Sequence, residues 1–221
     1  MNKKLFLLLL SVFFCVNAAA LPIGFVYLKD VDPSIQQDMR YKTSNNFLGR
    51  PVTGYQAGIC ILTHKAALAL KTVQQQLKKQ NLSLKVYDCY RPQMAVNDFV
   101  HWSHDPADQR MKKTYYPNIN KRDLFKKGYI SARSGHTRGS TVDLTLAQQD
   151  GKALDMGTHF DFADKSSHPA YGRLHKNVLA HRALLRHVMQ QAGFEPLVTE
   201  WWHFTLRKEP FPETYFNFVV R

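Results

Sequence analysis

Two segments of the chain repeat apolar residues at the spacing of an α-helix. Residues 64–80 carry Ala, Leu and Val on one stripe with Lys and Gln opposite, and Asn81 follows as a left-handed cap. Residues 176–192 repeat the pattern with Val, Leu and Met, and Gly193 ends it. Each pattern predicts an amphipathic helix that covers one side of a hydrophobic core.

Three other segments have the alternation or the composition of β-strands. Residues 82–90 (LSLKVYDCY) and 140–146 (STVDLTL) alternate apolar and polar side chains, and residues 196–206 are aromatic and β-prone. Shorter helices are predicted at two places, residues 33–41 and Pro92 to about Ser103. Because the helices have unequal lengths and no repeat or linker divides residues 21–221, we expect one α+β domain, with a mostly antiparallel sheet flanked by helices.

The first twenty residues have the composition of a secretory signal. MNKK supplies positive charge, LFLLLLSVFFCV is apolar, and Ala18 and Ala20 form an Ala-x-Ala site. The apolar run is too short to span a bilayer. We therefore expect residues 1–20 to be a signal peptide cleaved after Ala20, and a retained membrane anchor is the alternative. The mature chain would be exported, to the periplasm, with no transmembrane segment left.

The composition narrows the classes of function. The chain has 14 Phe, 10 Tyr and 3 Trp, spread along its length, which argues against disorder. Cleavage would remove two lysines and no acid, and so lower the net charge from +13 to +11. Such a basic protein associates loosely with anionic cell-envelope surfaces. The Lys and Arg residues are scattered, however, which argues against nucleic acid as the partner of an exported protein.

Cys60 and Cys89 are the two cysteines that would remain after cleavage. An even number of cysteines in an oxidising compartment predicts a Cys60–Cys89 disulfide, and two buried free thiols are the alternative. Neither cysteine has neighbours of the kind that activate a nucleophile.

Residues 131–146, SARSGHTRGSTVDLTL, place candidate metal ligands at the start of a strand. Alternation directs the apolar residues of the strand toward the core and Asp143 to the opposite face. His136 precedes the strand in a Ser/Gly-rich turn, and Gly139 would let the chain return so that both side chains meet. A plain surface hairpin explains the same pattern when it is taken alone.

Glu200 and His203 form a second candidate pair, in the stretch EWWHF. A regular strand would place them on opposite faces, so a bend or helical turn before the strand is needed to bring them together. The alternative is an aromatic core strand whose His203 is satisfied by backbone hydrogen bonds. Together, His136, Asp143 and His203 supply two imidazoles and a carboxylate, the ligand set of a catalytic zinc site with one open position. Glu200, near the metal without binding it, suits a general base acting on water.

Other histidine and serine patterns carry less weight. His101 and His104 have a spacing that can bind metal on a helix, but the sequence marks no third ligand for them. The sequence has no H-E-x-x-H motif, which excludes thermolysin-like zinc enzymes. Ser134 has no G-x-S-x-G elbow around it, which argues against a serine triad with His136 and Asp143.

The residues around these candidates resemble the zinc D-alanyl-D-alanine dipeptidases, including the vancomycin-resistance type, within a group of zinc DD-peptidases that share their fold with the Hedgehog signalling domain. Five stretches are similar, in the same order: NNFLGRPVTGY (45–55), YDCYRP (87–92), SGHTRGSTVDLTL (134–146), MGTHFDF (156–162) and EWWHF (200–204). The two-part metal motif is shared with related carboxypeptidases, whereas NFLGRPVTGY and the Arg91 segment are more specific to the dipeptidases. Cys89, its predicted partner Cys60 and the signal peptide depart from the family pattern.

The resemblance implies a role for each matching residue. His136, Asp143 and His203 would bind one Zn²⁺ per chain, and Glu200 would be the catalytic base and proton shuttle. Arg91 would stabilise the oxyanion, a role that suits a fixed guanidinium, and a surface salt bridge is the alternative for it.

The resemblance also suggests residues that bind substrate. Ser134 would hold the substrate carboxylate, although its hydroxyl could equally cap its own turn. Tyr41, Tyr55 and Asp161 are candidates for lining a small pocket and binding the ammonium of a dipeptide, and core packing or loop capping is the alternative for each.

The function that this implies is zinc-dependent hydrolysis of the dipeptide D-alanyl-D-alanine to free D-alanine. Because the D-Ala-D-Ala unit is made in the cytoplasm, an exported enzyme would act in cell-wall turnover or scavenging. One alternative is a murein DD- or L,D-carboxypeptidase or endopeptidase acting on longer stem peptides. Another is a non-catalytic, zinc-stabilised cell-wall binding module, against which the presence of Glu200 argues.

Overall fold

A computed structural model describes residues 20–221, so the predicted signal peptide, apart from its last residue, lies outside the described residues. The strands are β1 (Phe25–Tyr27), β2 (Gln36–Gln37), β3 (Ile61–Thr63), β4 (Leu82–Asp88), β5 (Thr141–Gln148), β6 (Phe194–Pro196) and β7 (His203–Leu206). The α-helices are α1 (Leu28–Val31), α2 (His64–Lys78), α3 (Gln93–His104), α4 (Lys112–Tyr115) and α5 (Lys176–Gln191). Over residues 20–221, none of the helices combines the length and the apolar character that crossing a membrane requires.

Five strands form the main sheet, in the order β2-β4-β5-β7-β6. The pairing of β2 with β4 is parallel and the other three pairings are antiparallel. Strands β1 and β3 form a separate antiparallel pair. Helices α2 and α5 pack on the sheet and on each other. The predicted α+β domain with a mostly antiparallel sheet is therefore confirmed.

The two long helices lie where the apolar periodicity places them. Helix α2 begins after Thr63, whose hydroxyl accepts a hydrogen bond from the backbone N–H of Ala66, and its stripe of Ala, Leu and Val side chains is buried. Asn81 follows with φ of 57°, and Gly193 follows α5 with φ of 91°. Both residues end their helices in the left-handed region, as the sequence predicts.

One predicted element is wrong, and sheet pairing explains it. Residues 33–41 do not form a helix, because β2 pairs with β4 and only a 3₁₀ turn follows at Arg40–Lys42. There a pairing between residues distant in sequence overrides the local pattern. The β-prone residues 196–206 include the end of β6 and all of β7, with a turn at Trp201 and Trp202 just before His203, as the predicted bend requires.

Strand β5 lies at the centre of the sheet and is buried on both faces. The apolar row of Val142, Leu144 and Leu146 lies in the core, as predicted. The polar row is also covered, since Asp143 is 2% exposed and Thr145 is fully buried. Asp143 therefore faces the interior of a cleft and not open solvent.

Candidate metal centre and active-site cleft

Three side chains from separate elements converge at the start of β5. Asp143 lies opposite Asp88 of β4 and opposite His203 of β7 in the sheet register. His136 comes from a 3₁₀ turn, Gly135–Arg138, that leads into β5. One ligand atom from each of His136, Asp143 and His203 lies within 4.8 Å of the others. The structure thus brings together all three residues that the sequence predicts as metal ligands.

The donor atoms of the three residues lie as close together as the ligands of a single metal ion. His136 Nε2 lies 3.2 Å from Asp143 Oδ2 and 3.3 Å from His203 Nδ1, and His203 Nδ1 lies 3.0 Å from Asp143 Oδ1. Ligands bound at about 2.0–2.1 Å in a tetrahedron are about 3.3 Å apart. Among residues 20–221, buried Asp143 Oδ1 has no partner in good hydrogen-bonding geometry, in spite of its short contact with His203. A zinc ion would satisfy that oxygen.

The turn that carries His136 is fixed at both ends. Ser134 Oγ accepts a hydrogen bond from the backbone N–H of His136 at 3.3 Å, and Gly139 closes the turn with φ of 81°. A Cβ at Gly139 would also meet the ring of Phe25, so this position requires glycine on two counts. His136 Nδ1 donates to the carbonyl oxygen of Cys89 at 2.7 Å. Because a carbonyl can only accept, the proton is on Nδ1 and Nε2 is free to bind a metal.

The carboxyl groups at the site have opposite pKa shifts. Burial, followed by the negative charge of Asp143, raises the pKa of Glu200 to about 8. Burial also favours the neutral acid of Asp143, but the two imidazoles outweigh it and hold the pKa of Asp143 well below its usual range. The candidate ligand Asp143 is therefore ionised, whereas Glu200 can exchange a proton near neutral pH.

Arg91 is held in place from behind by a buried carboxylate. Its Nε and Nη2 atoms each lie 2.9 Å from Asp88 Oδ2, and Asp88 accepts a further hydrogen bond of 2.6 Å from the hydroxyl of Tyr55. The guanidinium also lies 5.0 Å from the ring centres of Tyr41 and Phe99. Arg91 is thus a fixed cation at the wall of the cleft, and its partner is a buried group and not a surface acid.

The candidates share one cleft of about 230 Å³, which is smaller than the sites of about 300–1,000 Å³ that hold drug-sized ligands. Its lining includes Ser134, Arg91 and Glu200 beside the three candidate metal ligands. Tyr41 and Asp161 line the same cleft, and the Tyr41 hydroxyl donates to Asp161 at 2.9 Å. Burial and the nearby charge of Asp143 raise the pKa of Asp161 well above its usual range.

One predicted substrate-binding residue does not lie in this cleft. Tyr55 is buried behind it, and its hydroxyl donates to Asp88. The position of Tyr55 favours the alternative of core packing, in which its hydroxyl contacts the carboxylate that holds Arg91. Sequence reasoning missed Asp88 and the Cys89 carbonyl as site residues. Asp88 could have been found from its position three residues before Arg91, a spacing that allows an ion pair. The backbone carbonyl of Cys89 could not, because every residue has one.

Cys60 and Cys89 are joined by a disulfide, as predicted. The bridge joins the residue before β3 to the residue after β4. The alternative of two free thiols does not apply to this structure.

A family model described as D-ala-D-ala dipeptidase, of the peptidase M15 family, matches residues 22–221. The chain belongs to this family. It is 40% identical to the D-alanyl-D-alanine dipeptidase of Enterococcus faecium, over 90% of this chain and 99% of that protein. It is 41% identical to the enzyme of the same name from Enterococcus faecalis, over 89% of this chain and 98% of that protein. The resemblance found in the sequence motifs is thereby confirmed.

Two further proteins match as well. The D-alanyl-D-alanine dipeptidase of Streptomyces coelicolor is 40% identical, over 89% of this chain and 98% of that protein. Among solved structures, a vancomycin resistance D,D-pentapeptidase in complex with Zn(II) covers 71% of this chain and 78% of its own. That structure is 13% identical, with a TM-score of 0.41.

Proposed function

We propose that the protein is a zinc-dependent dipeptidase that hydrolyses D-alanyl-D-alanine to free D-alanine. The observation that carries the proposal is the convergence of three candidate ligand residues with Glu200 and Arg91 in one small cleft. Membership of the D-Ala-D-Ala dipeptidase family, and the names of the relatives, support the choice of substrate.

His136 Nε2, His203 Nδ1 and the Asp143 carboxylate would hold one zinc ion per chain. When bound, zinc supplies a Lewis acid that polarises a carbonyl and makes water more acidic. Asp143 brings the negative charge that offsets part of the charge of the ion, and the two neutral imidazoles are borderline-soft ligands that zinc favours. The Cys89 carbonyl keeps His136 in the tautomer that leaves Nε2 free.

Glu200 moves the proton. Its carboxylate accepts a proton from the attacking water and returns it to the nitrogen of the leaving D-alanine. The raised pKa of Glu200 suits both steps, because a base with a pKa near the working pH can also act as an acid. With zinc bound at the neighbouring residues, the carboxyl of Glu200 would be more easily ionised and so ready to accept the proton.

Arg91 stabilises the charge that develops on the carbonyl oxygen. Its guanidinium is held by Asp88 before the substrate arrives, so its N–H donors need no reorganisation during the reaction.

Three polar residues would hold the two ends of the dipeptide. Asp161, with Tyr41, binds the ammonium group, and the positive charge of that group favours the ionised form of the buried Asp161. Ser134 Oγ would donate to the carboxylate at the other end. The small cleft then favours a free dipeptide over a long stem peptide.

The place of action follows from the predicted signal peptide. We infer that the mature enzyme, residues 21–221, works in the periplasm, in cell-wall turnover or in scavenging of released dipeptide. Its positive charge would favour loose association with anionic polymers of the cell envelope.

The deciding experiment is zinc analysis of the purified protein together with an assay for free D-alanine released from D-alanyl-D-alanine. We expect about one zinc per chain, loss of activity with a chelator and recovery when zinc is restored. Full activity in protein stripped of metal would refute the zinc mechanism. A zinc-loaded protein that released no D-alanine from the dipeptide would refute the substrate.

A further inference from the structure

The Cys60–Cys89 disulfide adjoins the candidate metal centre through a single residue. Cys89 is completely buried, and its carbonyl oxygen accepts the 2.7 Å hydrogen bond from Nδ1 of His136. The side chain of the same residue is bonded to Cys60. The bridge therefore fixes the very backbone unit that orients a metal ligand.

The segment Asp88–Arg91 contributes to the site at three points. Asp88 holds Arg91, the Cys89 carbonyl holds His136, and Arg91 itself lines the cleft. The segment leaves the sheet here, since β4 ends at Asp88 and the pairing with β5 shifts register between Val86 and Asp88. The segment Asp88–Arg91 therefore contributes to the site at a point where regular strand pairing with β5 no longer holds it.

Cys60 is the anchored side of the bridge. Its backbone N–H donates to Gln37 Oε1 at 2.8 Å, and its carbonyl accepts from the N–H of Leu28 at 2.9 Å. The next residue, Ile61, begins β3, which pairs with β1. Cys60 is thereby tied to three elements outside the cleft, and the disulfide transfers that fixed position to Cys89.

We propose that the Cys60–Cys89 disulfide is a positioning element of the metal centre, which holds the Cys89 carbonyl where it orients His136 for the metal. The inference rests on the proposed function, since it requires zinc to be the ligand of His136. Groups that orient a metal-binding histidine typically contribute about 10- to 100-fold to metal affinity. A bridge that acted only by restricting the unfolded chain would leave the metal affinity of the folded protein unchanged.

The test compares two variants with the wild-type enzyme. The double variant Cys60→Ala/Cys89→Ala removes the bridge without leaving a free thiol. The control Leu70→Ala truncates a fully buried side chain of α2, outside the cleft, and so lowers stability without touching the segment Asp88–Arg91. If the alanine pair does not fold, Cys60→Val with Cys89→Ala fills more of the vacated volume and replaces it.

Two readouts separate positioning from stability. The first is the zinc dissociation constant of the folded protein, measured by competition with a chelator. The second is the visible absorption of the Co²⁺-substituted protein, which reports ligand geometry. We expect the double variant to bind zinc about 10-fold or more weakly and to show an altered Co²⁺ spectrum. The Leu70→Ala variant should match the wild type in both.

Equal zinc affinity and an equal spectrum in the double variant and the wild type would overturn the positioning role. So would an equal loss of affinity in Leu70→Ala, because the effect would then be one of general stability. A wild-type protein that bound no zinc would overturn the proposed function, and the inference with it. The two failures are therefore distinguishable.

Discussion

Glu200 Oε2 lies 3.6 Å from Nδ1 of His203, although the two residues are three positions apart in a segment with the composition of a strand. The chain turns through Trp201 and Trp202 before β7 begins at His203. Glu200 thus enters the cleft from a loop and His203 enters it from the sheet. Because the two residues stand on different elements, a substitution at Glu200 need not move His203 or the other candidate metal ligands.

Glu200→Gln should lower kcat by about 10²- to 10⁴-fold, because an amide of the same shape cannot accept the proton. The zinc content should stay at that of the wild type, since Glu200 is not one of the three converging ligands. Steady-state kinetics and metal analysis of the same preparation check both statements. Normal turnover by this variant would remove Glu200 from the mechanism.

Arg91→Lys should lower kcat by about 10²-fold with zinc still bound. A lysine keeps the charge but loses the planar donors that bind Asp88 and face the cleft at the same time. Arg207→Lys is the matched control, because Arg207 forms an exposed ion pair with Glu195. If both variants kept wild-type kcat, Arg91 would not stabilise the oxyanion.

Asp161→Asn should lower kcat/KM for the dipeptide by about 10- to 100-fold, the loss expected for a hydrogen bond to a charged group. The variant should also make the metal-free protein more stable at pH 8. The folded-state pKa of Asp161 is raised, so the carboxyl contributes stability below about pH 4 and loses that contribution as the pH rises. Asparagine removes this loss, and it tolerates the φ of 63° at this position.

Thermal unfolding of Asp161→Asn and the wild type at pH 4 and pH 8 measures the stability difference. The gain should be present at pH 8 and absent at pH 4. A variant that was less stable at pH 8 would show that Asp161 is ionised in the empty cleft.

N-acetyl-D-alanyl-D-alanine should be a poor substrate compared with the free dipeptide. Acetylation removes the ammonium group, so the carboxyl of Asp161 keeps its hydrogen bond from Tyr41 but loses its charged partner in the dipeptide, a contact worth about 1.5–3 kcal/mol. Release of D-alanine from both compounds, and from an N-acylated tripeptide, gives the comparison. Equal rates on the acylated compounds would favour a carboxypeptidase on the same scaffold.

Tyr55→Phe should lower the free energy of unfolding by about 1 kcal/mol and leave KM unchanged. The hydroxyl donates to buried Asp88 and does not line the cleft, so its removal weakens the support of Arg91 without removing a substrate contact. Chemical denaturation and the separate values of kcat and KM test this. If KM increased while the free energy of unfolding stayed the same, the Tyr55 hydroxyl would contact the substrate after all.

The parts of the fold that depend on local patterns could be predicted from sequence. The amphipathic stripes of α2 and α5 indicate which face of each helix is buried, so the packing of these helices follows directly. The alternation of β5 places its apolar row in the core, but it does not show that the polar row is buried as well. The element that was predicted wrongly, residues 33–41, is set by a strand partner distant in sequence.

In the candidate site, the side chains that stand in motifs could be predicted, whereas the groups that position them could not. Its side chains stand in motifs, so His136, Asp143 and His203 could be named before their geometry was known. The groups that hold them in place could not be named. Every residue has a backbone carbonyl, so nothing in the sequence distinguishes the carbonyl of Cys89. The sequence also does not show whether Tyr55 lines the cleft or lies behind it. Motifs mark reacting groups better than the groups that position them.

The register of β5 with β7 brings together two candidate metal ligands that lie far apart in the sequence. His136 and His203 are 67 residues apart, and they approach each other only when β7 has paired with β5. Bringing the two residues together costs the conformational entropy of closing that loop, and the free energy of strand pairing offsets this cost. The proposed zinc site is therefore complete only when β7 has paired with β5, so zinc binding would report that this pairing is correct.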